Sequence, residues 1–156
     1  MGRFWRQLLL FLAVTVSVTG CAQPPRYVDV AASVPPVAPW QARIYAYREP
    51  GVYEGLDWVP ILLNGQQAGA VGPGQVIMRD VVPGTYSIEA ASQGVYPGQT
   101  KVVALAPGQT IYVKVTTLRG MIPTSRRDRP AFTYIAVLMD PAIARQEIAG
   151  LAYTAG

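Results

Sequence analysis

Three carboxylates, Glu49, Glu54 and Asp57, fall together in "REPGVYEGLDW" beside Tyr53 and Trp58. Paired acids next to aromatic rings are the equipment of sugar chemistry, in which two carboxyl groups flank the bond to be cut. Nothing in the spacing sets their separation, and acidic turns between strands are common, so the same residues also read as a solvated loop. A second group is basic: Arg119, Arg126, Arg127 and Arg129 crowd the loop "RGMIPTSRRDRP", partly balanced by Asp128. Guanidinium pairs well with both phosphate and carboxylate, so this loop is a possible anion contact. Its bland alternative is again a solvated loop. The third reactive group is the only thiol in the chain, Cys21, placed directly behind an apolar run and a glycine.

The remaining inventory excludes a good deal. There is no histidine and one cysteine among 156 residues, so zinc-ligand spacings, Cys-His pairs and the Ser-His-Asp triad are absent. No metal site and no cofactor is expected. After Cys21 no thiol remains to form an internal disulfide. Chemistry built on carboxylates, lysine or tyrosine survives this filter. The formal charge is +4, and falls to about +2 if Arg3 and Arg6 are removed with a leader, which is no nucleic-acid footprint. Charged residues are only 14% of the chain while Gly and Pro number 15 and 14, a mixture that suits a turn-rich β domain.

What must position Cys21 is the segment before it. "MGRFWRQLLLFLAVTVSVTGC" has two arginines, an apolar run from Leu8 to Val18, and small residues up to the cysteine. Those 11 residues span about 16 Å as a helix, roughly half a bilayer core, so the run reads as the hydrophobic region of a secretory signal. The end of the segment, Val18-Thr19-Gly20-Cys21, resembles the bacterial lipobox, with Val and Thr in place of the commonest choices. That resemblance implies that residues 1–20 are removed and that Cys21 becomes a diacylated N-terminus. The alternatives are an ordinary signal peptide that leaves a free cysteine, or a cysteine that is simply buried. Two or three acyl chains, at about 0.8 kcal/mol per buried methylene, make such an anchor effectively permanent. Ala22 follows instead of the Asp that favours inner-membrane retention in enterobacterial lipoproteins, which implies the periplasmic face of an outer membrane.

Beyond the cysteine, "AQPPRYVDVAASVPPVAPWQ" carries five prolines and no clear period, and residues 21–41 are expected to form a lipidated, semi-extended tether. Trp40 is expected to pack on the domain, with the membrane interface as its alternative place. Residues 42–156 then read as a β domain. Thr85 to Ala90 and Thr110 to Thr116 alternate polar and apolar, pointing Tyr86, Ile88, Ala90, Ile111, Val113 and Val115 into a core. Further strands are expected at 42–48, 58–63, 66–71, 76–81, 100–105 and 131–138. Asn64-Gly65 between apolar runs is a strong hairpin signal. Pro-Gly at 73, 83, 97 and 107 supplies turns at intervals that match strand-plus-turn units. Asp140-Pro141 starts a helix over 140–151, with Pro141, Ala144, Ile148 and Leu151 as its apolar stripe and Gly150 at its exit. The expected fold is all-β: a seven- to eight-stranded antiparallel sandwich with one short C-terminal helix.

"LLNGQQAG", "VPGTYSIEA" and "LAPGQTIYVKV" resemble PEGA-type surface domains, and more closely a group of uncharacterised bacterial lipoproteins with a transthyretin-like or carboxypeptidase-regulatory-like β-sandwich. The matching positions are Asn64, Gly65, Gly69, Pro83, Gly84, Tyr86, Pro107, Gly108, Tyr112 and Val113, covering roughly residues 42–117. The resemblance implies a fold and an envelope address and brings no catalytic residues. Three functions are weighed on this basis. The first is a non-catalytic envelope lipoprotein held to membrane lipid through Cys21, binding or bracing an envelope protein, peptidoglycan or lipopolysaccharide. The second is an assembly lipoprotein of a secretion apparatus, and the third a carboxylate-dependent cell-wall glycan hydrolase. If Cys21 carries the anchor, radiolabelled palmitate enters the wild-type chain and fails to enter Cys21→Ser, measured on immunoprecipitated protein.

Overall fold

The computed structural model describes residues 23–51, 57–91, 99–122 and 129–155, with the side chains of 119–122, 129–132 and 155 excepted. The first described elements are a helical turn, α1 (Tyr27–Val30), and a 3-10 turn (Ala31–Ser33). Strands β1 (Ala42–Arg48), β2 (Val59–Leu63), β3 (Gln66–Val71), β4 (Gln75–Val81), β5 (Gly84–Ala90), β6 (Lys101–Leu105), β7 (Thr110–Ile122) and β8 (Arg129–Met139) follow. Helix α2 (Pro141–Ile148) and strand β9 (Ala152–Ala155) close it. Two sheets face each other, one of five strands in the order β8-β7-β1-β4-β9 and one of four in the order β3-β2-β5-β6. This is the expected all-β sandwich with a short helix, with nine strands where seven or eight were expected.

Turn chemistry cuts the strands as read from the sequence. Asn64 and Gly65 have φ of 52° and 77°, the pair of positive values that a tight hairpin needs, and Asn64 Oδ1 accepts from Ser87 N at 2.8 Å, tying the turn to β5. Gly74 and Gly108, each behind a proline, also have positive φ. The alternating strands bury the face assigned to them: Ile88, Ala90, Val113 and Val115 are buried, and Tyr86 and Ile111 pack against them.

β1 is buried along its whole length because it lies at the centre of its sheet and is covered on both sides. One face, with Ala42, Ile44 and Ala46, joins Ile61, Ile88, Val113 and Ala136 in the core between the sheets. The other, with Tyr45 and Tyr47, meets Val76, Tyr112, Ala144, Ile148 and Leu151 in a second core under α2. Tyr45 stacks on Tyr112 with ring centroids 5.2 Å apart, and Tyr27 closes edge-on over Tyr45 at 5.6 Å. Asp140 caps α2 by accepting from Ala142 N at 2.8 Å.

The structure differs from the sequence reading in five places. The sheet is not wholly antiparallel: β1 and β7 pair in parallel, as do β4 and β9. β9 is a strand the sequence reading did not include; it forms because α2 returns the chain to the open edge of β4, whose backbone groups it satisfies. The helix ends at Ile148, and Pro141 lies exposed at its first position while Ala144, Ile148 and Leu151 are buried. Residues 25–30 are docked on the domain instead of hanging free: Tyr153 N donates to Pro25 O and Tyr27 N to Leu151 O, both at 2.8 Å. Proline removed a donor there without removing the carbonyl that β9 needs. Trp40, expected on the core, is 73% exposed.

Register also gives the sandwich two distinct ends. At the hairpin end Ala42 meets Val81 and Arg43 meets Thr110, and the turns at 64–65, 82–83 and 106–109 gather. At the other end Arg48 meets Gln75, and β7 and β8 run on as a two-stranded arm to the rung Ile122–Arg129. Replacing Ile88 by Ala, which empties the inter-sheet core, lowers the unfolding free energy by about 2–5 kcal/mol, and Asp140→Ala by about 1 kcal/mol, read from urea midpoints at unchanged slope.

Candidate functional site

The charged residues of greatest chemical interest sit on or beside β1, which carries two buried arginines. Arg48 has no exposed surface. Its Nη1 donates to Asp57 O at 2.8 Å, and its guanidinium lies 4.8 Å over the Tyr134 ring. Tyr134 donates its hydroxyl to Asp57 Oδ2 at 2.9 Å. Burial first, and then this bond to an anion, push the Tyr134 phenol up to about 12, with Arg48 acting in the opposite sense. Arg43 makes a bidentate pair with Asp80, Nε to Oδ1 at 2.6 Å and Nη2 to Oδ2 at 2.8 Å, and Nη1 donates to Pro35 O at 2.7 Å. The bond from Arg43 holds the Asp80 carboxyl below its ordinary value. Each buried guanidinium thus has the acceptors that burial of a charge demands.

A second cluster lies on the α2 side of the sheet. Lys114 on β7 stands level with Tyr47. Its Nζ reaches Glu49 Oε2 at 2.5 Å and Glu147 Oε1 at 2.9 Å, and Tyr47 donates to Glu147 Oε2 at 2.5 Å. Burial works to raise the Glu147 carboxyl, but its bonds from Tyr47 and Lys114 outweigh burial and hold it below the ordinary glutamate value. Burial likewise opposes the Lys114 charge, and the two glutamates outweigh it. Tyr47 is pushed upward, first by burial and then by its bond to Glu147.

The sequence reading grouped Glu49, Glu54 and Asp57 as possible partners. Glu49 turns to Lys114 and the second core, whereas Asp57 turns to Tyr134, which belongs to the core between the sheets. The two acids therefore serve opposite faces of one sheet. Glu54 and Tyr53 lie outside the described residues, as do Cys21, Arg126 and Arg127. Arg119 and Arg129 are placed by backbone register: they stand on strands, opposite Phe132 and Ile122, so the arm extends into what the sequence suggested was loop.

One open cleft of about 460 Å³ lies beside the hairpin end, lined by Asn64, Gln66, Gln67, Arg79 and Tyr86 among others. Its polar groups are partly committed: Arg79 Nε donates to Ala68 O, and Tyr86 donates to Val82 O at 2.7 Å. Its lining offers amides and one guanidinium and holds no carboxylate. Among the described residues no group of three or more Cys, Asp or Glu is gathered as metal ligands, and no helix is long and apolar enough to cross a membrane. Neither the buried arginines nor the Lys114 cluster was anticipated from sequence; the available signal was an arginine at each end of an otherwise apolar strand. Known protein families, curated proteins and solved structures, compared in turn with this chain, contain no match.

Since Glu147 is held below its unfolded value near 4.5, its contribution to stability is complete above that pH and is lost as the pH falls through the lower, folded value. Chemical denaturation from pH 7 to 3 is expected to show this acid-labile component in the wild type. Glu147→Gln flattens it and costs about 1 kcal/mol at pH 7, allowing for partial exposure.

Proposed function

We propose that the protein is a non-catalytic, membrane-anchored envelope lipoprotein whose transthyretin-like sandwich serves as a binding or structural module facing the periplasm. Membrane lipid engages it through Cys21, at the outer membrane, and its partner is an envelope protein, peptidoglycan or lipopolysaccharide. The observation that supports this reading best is the engagement of Glu49 and Asp57. A glycan hydrolase needs two carboxyl groups facing one bond, about 5 to 9.5 Å apart with room for substrate between them. Here Glu49 is ion-paired to Lys114 and Asp57 accepts from Tyr134, on opposite faces of the sheet. Both acids support the fold, which is the arrangement expected of a module that presents surfaces.

Crosslinking in intact cells tests the reading. Wild-type protein is expected to carry a specific envelope component into the membrane fraction, and Cys21→Ser to lose it. Glycan cleavage by the purified protein that disappears in the double variant Glu54→Gln, Asp57→Asn would overturn the non-catalytic assignment in favour of the hydrolase.

A further inference from the structure

Three features taken together mark the hairpin end of the sandwich. The first is the direction from which the chain arrives. Arg26 bridges Ala152 in antiparallel sense, and Pro25 O accepts from Tyr153 N. β9 runs from Ala152, level with Gln75, to Ala155, level with Met78, and so heads toward the hairpin end. Followed backward from Arg26 to Pro25, the chain therefore heads the same way.

The second feature is apolar exposure. Trp40 and Val82, which flank the Ala42–Val81 rung, are 73% and 71% exposed, more than Trp58 (59%) and Leu118 (45%) toward the arm end. An indole pairs an apolar ring with one N–H donor, a combination favoured at the boundary between hydrocarbon and water. The third is charge. The connections at this end, 34–41, 64–65, 82–83 and 106–109, contain no charged residue, and the charges nearest to them are engaged, Arg43 with Asp80 one rung in and Asp140 in capping α2. At the opposite end lie Glu49 and Asp57, and the arm carries Arg119 and Arg129 on its strands, with Arg126, Arg127 and Asp128 following in sequence between them.

We propose that the hairpin end is the surface this domain lays on the lipid bilayer, with Trp40 seated among the headgroups and the arginine-bearing arm directed away from the anchoring membrane. The proposal rests on Cys21 being the point of attachment. Lengths support it. From Cys21 to the pinned Pro25 the chain reaches about 14 Å at most, while Val82 lies six residues along β4 from Val76, roughly 20 Å. So short a leash holds the domain on the lipid surface and leans it toward the β9 edge. The arm, at the far edge of the same sheet and extending from its other end, then points toward anionic material across the periplasm and away from the home leaflet.

Two tryptophans beyond Cys21 serve as reporters, Trp40 at the hairpin end and Trp58 at the arm end. The chain from Cys21 onward, which holds every contact described above, is coupled through its single thiol to a maleimide lipid in phosphatidylcholine vesicles containing a headgroup-labelled quencher. Emission of Trp58→Phe, which reports Trp40, is expected to be quenched at least twofold more than that of Trp40→Phe, which reports Trp58. The ratio should persist in 0.5 M salt. Equal quenching of the two, or stronger quenching of Trp58, overturns the orientation. So does quenching that requires anionic lipid and disappears when Arg119, Arg126, Arg127 and Arg129 are all replaced by Gln. Because the thioether is made chemically, this result is independent of whether cells acylate Cys21, which palmitate labelling reads separately.

Discussion

A seven-residue strand buried on both faces at the centre of a sheet is the constraint on which this molecule is built. β1 brings Ala42, Ile44 and Ala46 to one side and Tyr45 and Tyr47 to the other, and neither side can be left to water without losing the apolar burial that drives folding. The four-stranded sheet covers the first side. Covering the second falls to the chain termini: α2 lays Ala144 and Ile148 on the tyrosines, and Tyr27 arrives from the N-terminal segment to close the edge. An eight-residue helix and a four-residue helical turn are too short to persist alone, so their structure and the burial of β1 depend on each other.

The same strand carries Arg43 and Arg48 into the interior, and much of the polar architecture follows from them. A buried guanidinium without acceptors is far costlier than a buried hydrocarbon. Arg43 is answered by Asp80 and the Pro35 carbonyl, which also fastens the segment leading into β1. Arg48 is answered by the Asp57 carbonyl and the Tyr134 ring, and Asp57 in turn holds the Tyr134 hydroxyl. Acids that would look reactive in isolation are thereby drawn into holding the fold. Close packing sets similar limits here: a Cβ at Gly69 would lie 2.7 Å from Ile77 Cδ1, so any other residue there requires that methyl group to move.

The two ends of the sandwich differ in charge, and the proposed orientation follows that difference. The docking of residues 25–30 turns a segment that could have been a long stalk into a short one, and with Cys21 as the proposed anchor this makes the choice of membrane-facing surface consequential. An end whose connections carry no charge, with an exposed indole, and an end with a projecting arginine-bearing arm are the two surfaces such a module would need, one toward lipid and one toward a partner. This reading joins the lipobox-like segment to the fold through the direction of a single antiparallel bridge at Arg26.

Local chemistry in the chain determined the punctuation: Asn64-Gly65 and Pro-Gly turns where positive φ is required, alternation over Thr85 to Ala90, and Asp140-Pro141 as a helix start. Each depends on a few neighbouring residues; Asn64-Gly65, Gly74, Gly108, the alternation and the helix start stand where they were expected, while Gly84, at φ 159°, opens β5 without the turn geometry and Pro97-Gly98 lies outside the described residues. Alternation reports which face is apolar and leaves open what will cover it. The parallel pairing of β1 with β7, the ninth strand, the docked N-terminal residues, the exposure of Trp40 and the parting of Glu49 from Asp57 were decided only by tertiary structure. Each follows from which distant backbone edge or buried charge comes to lie alongside, and no local pattern of residues encodes that.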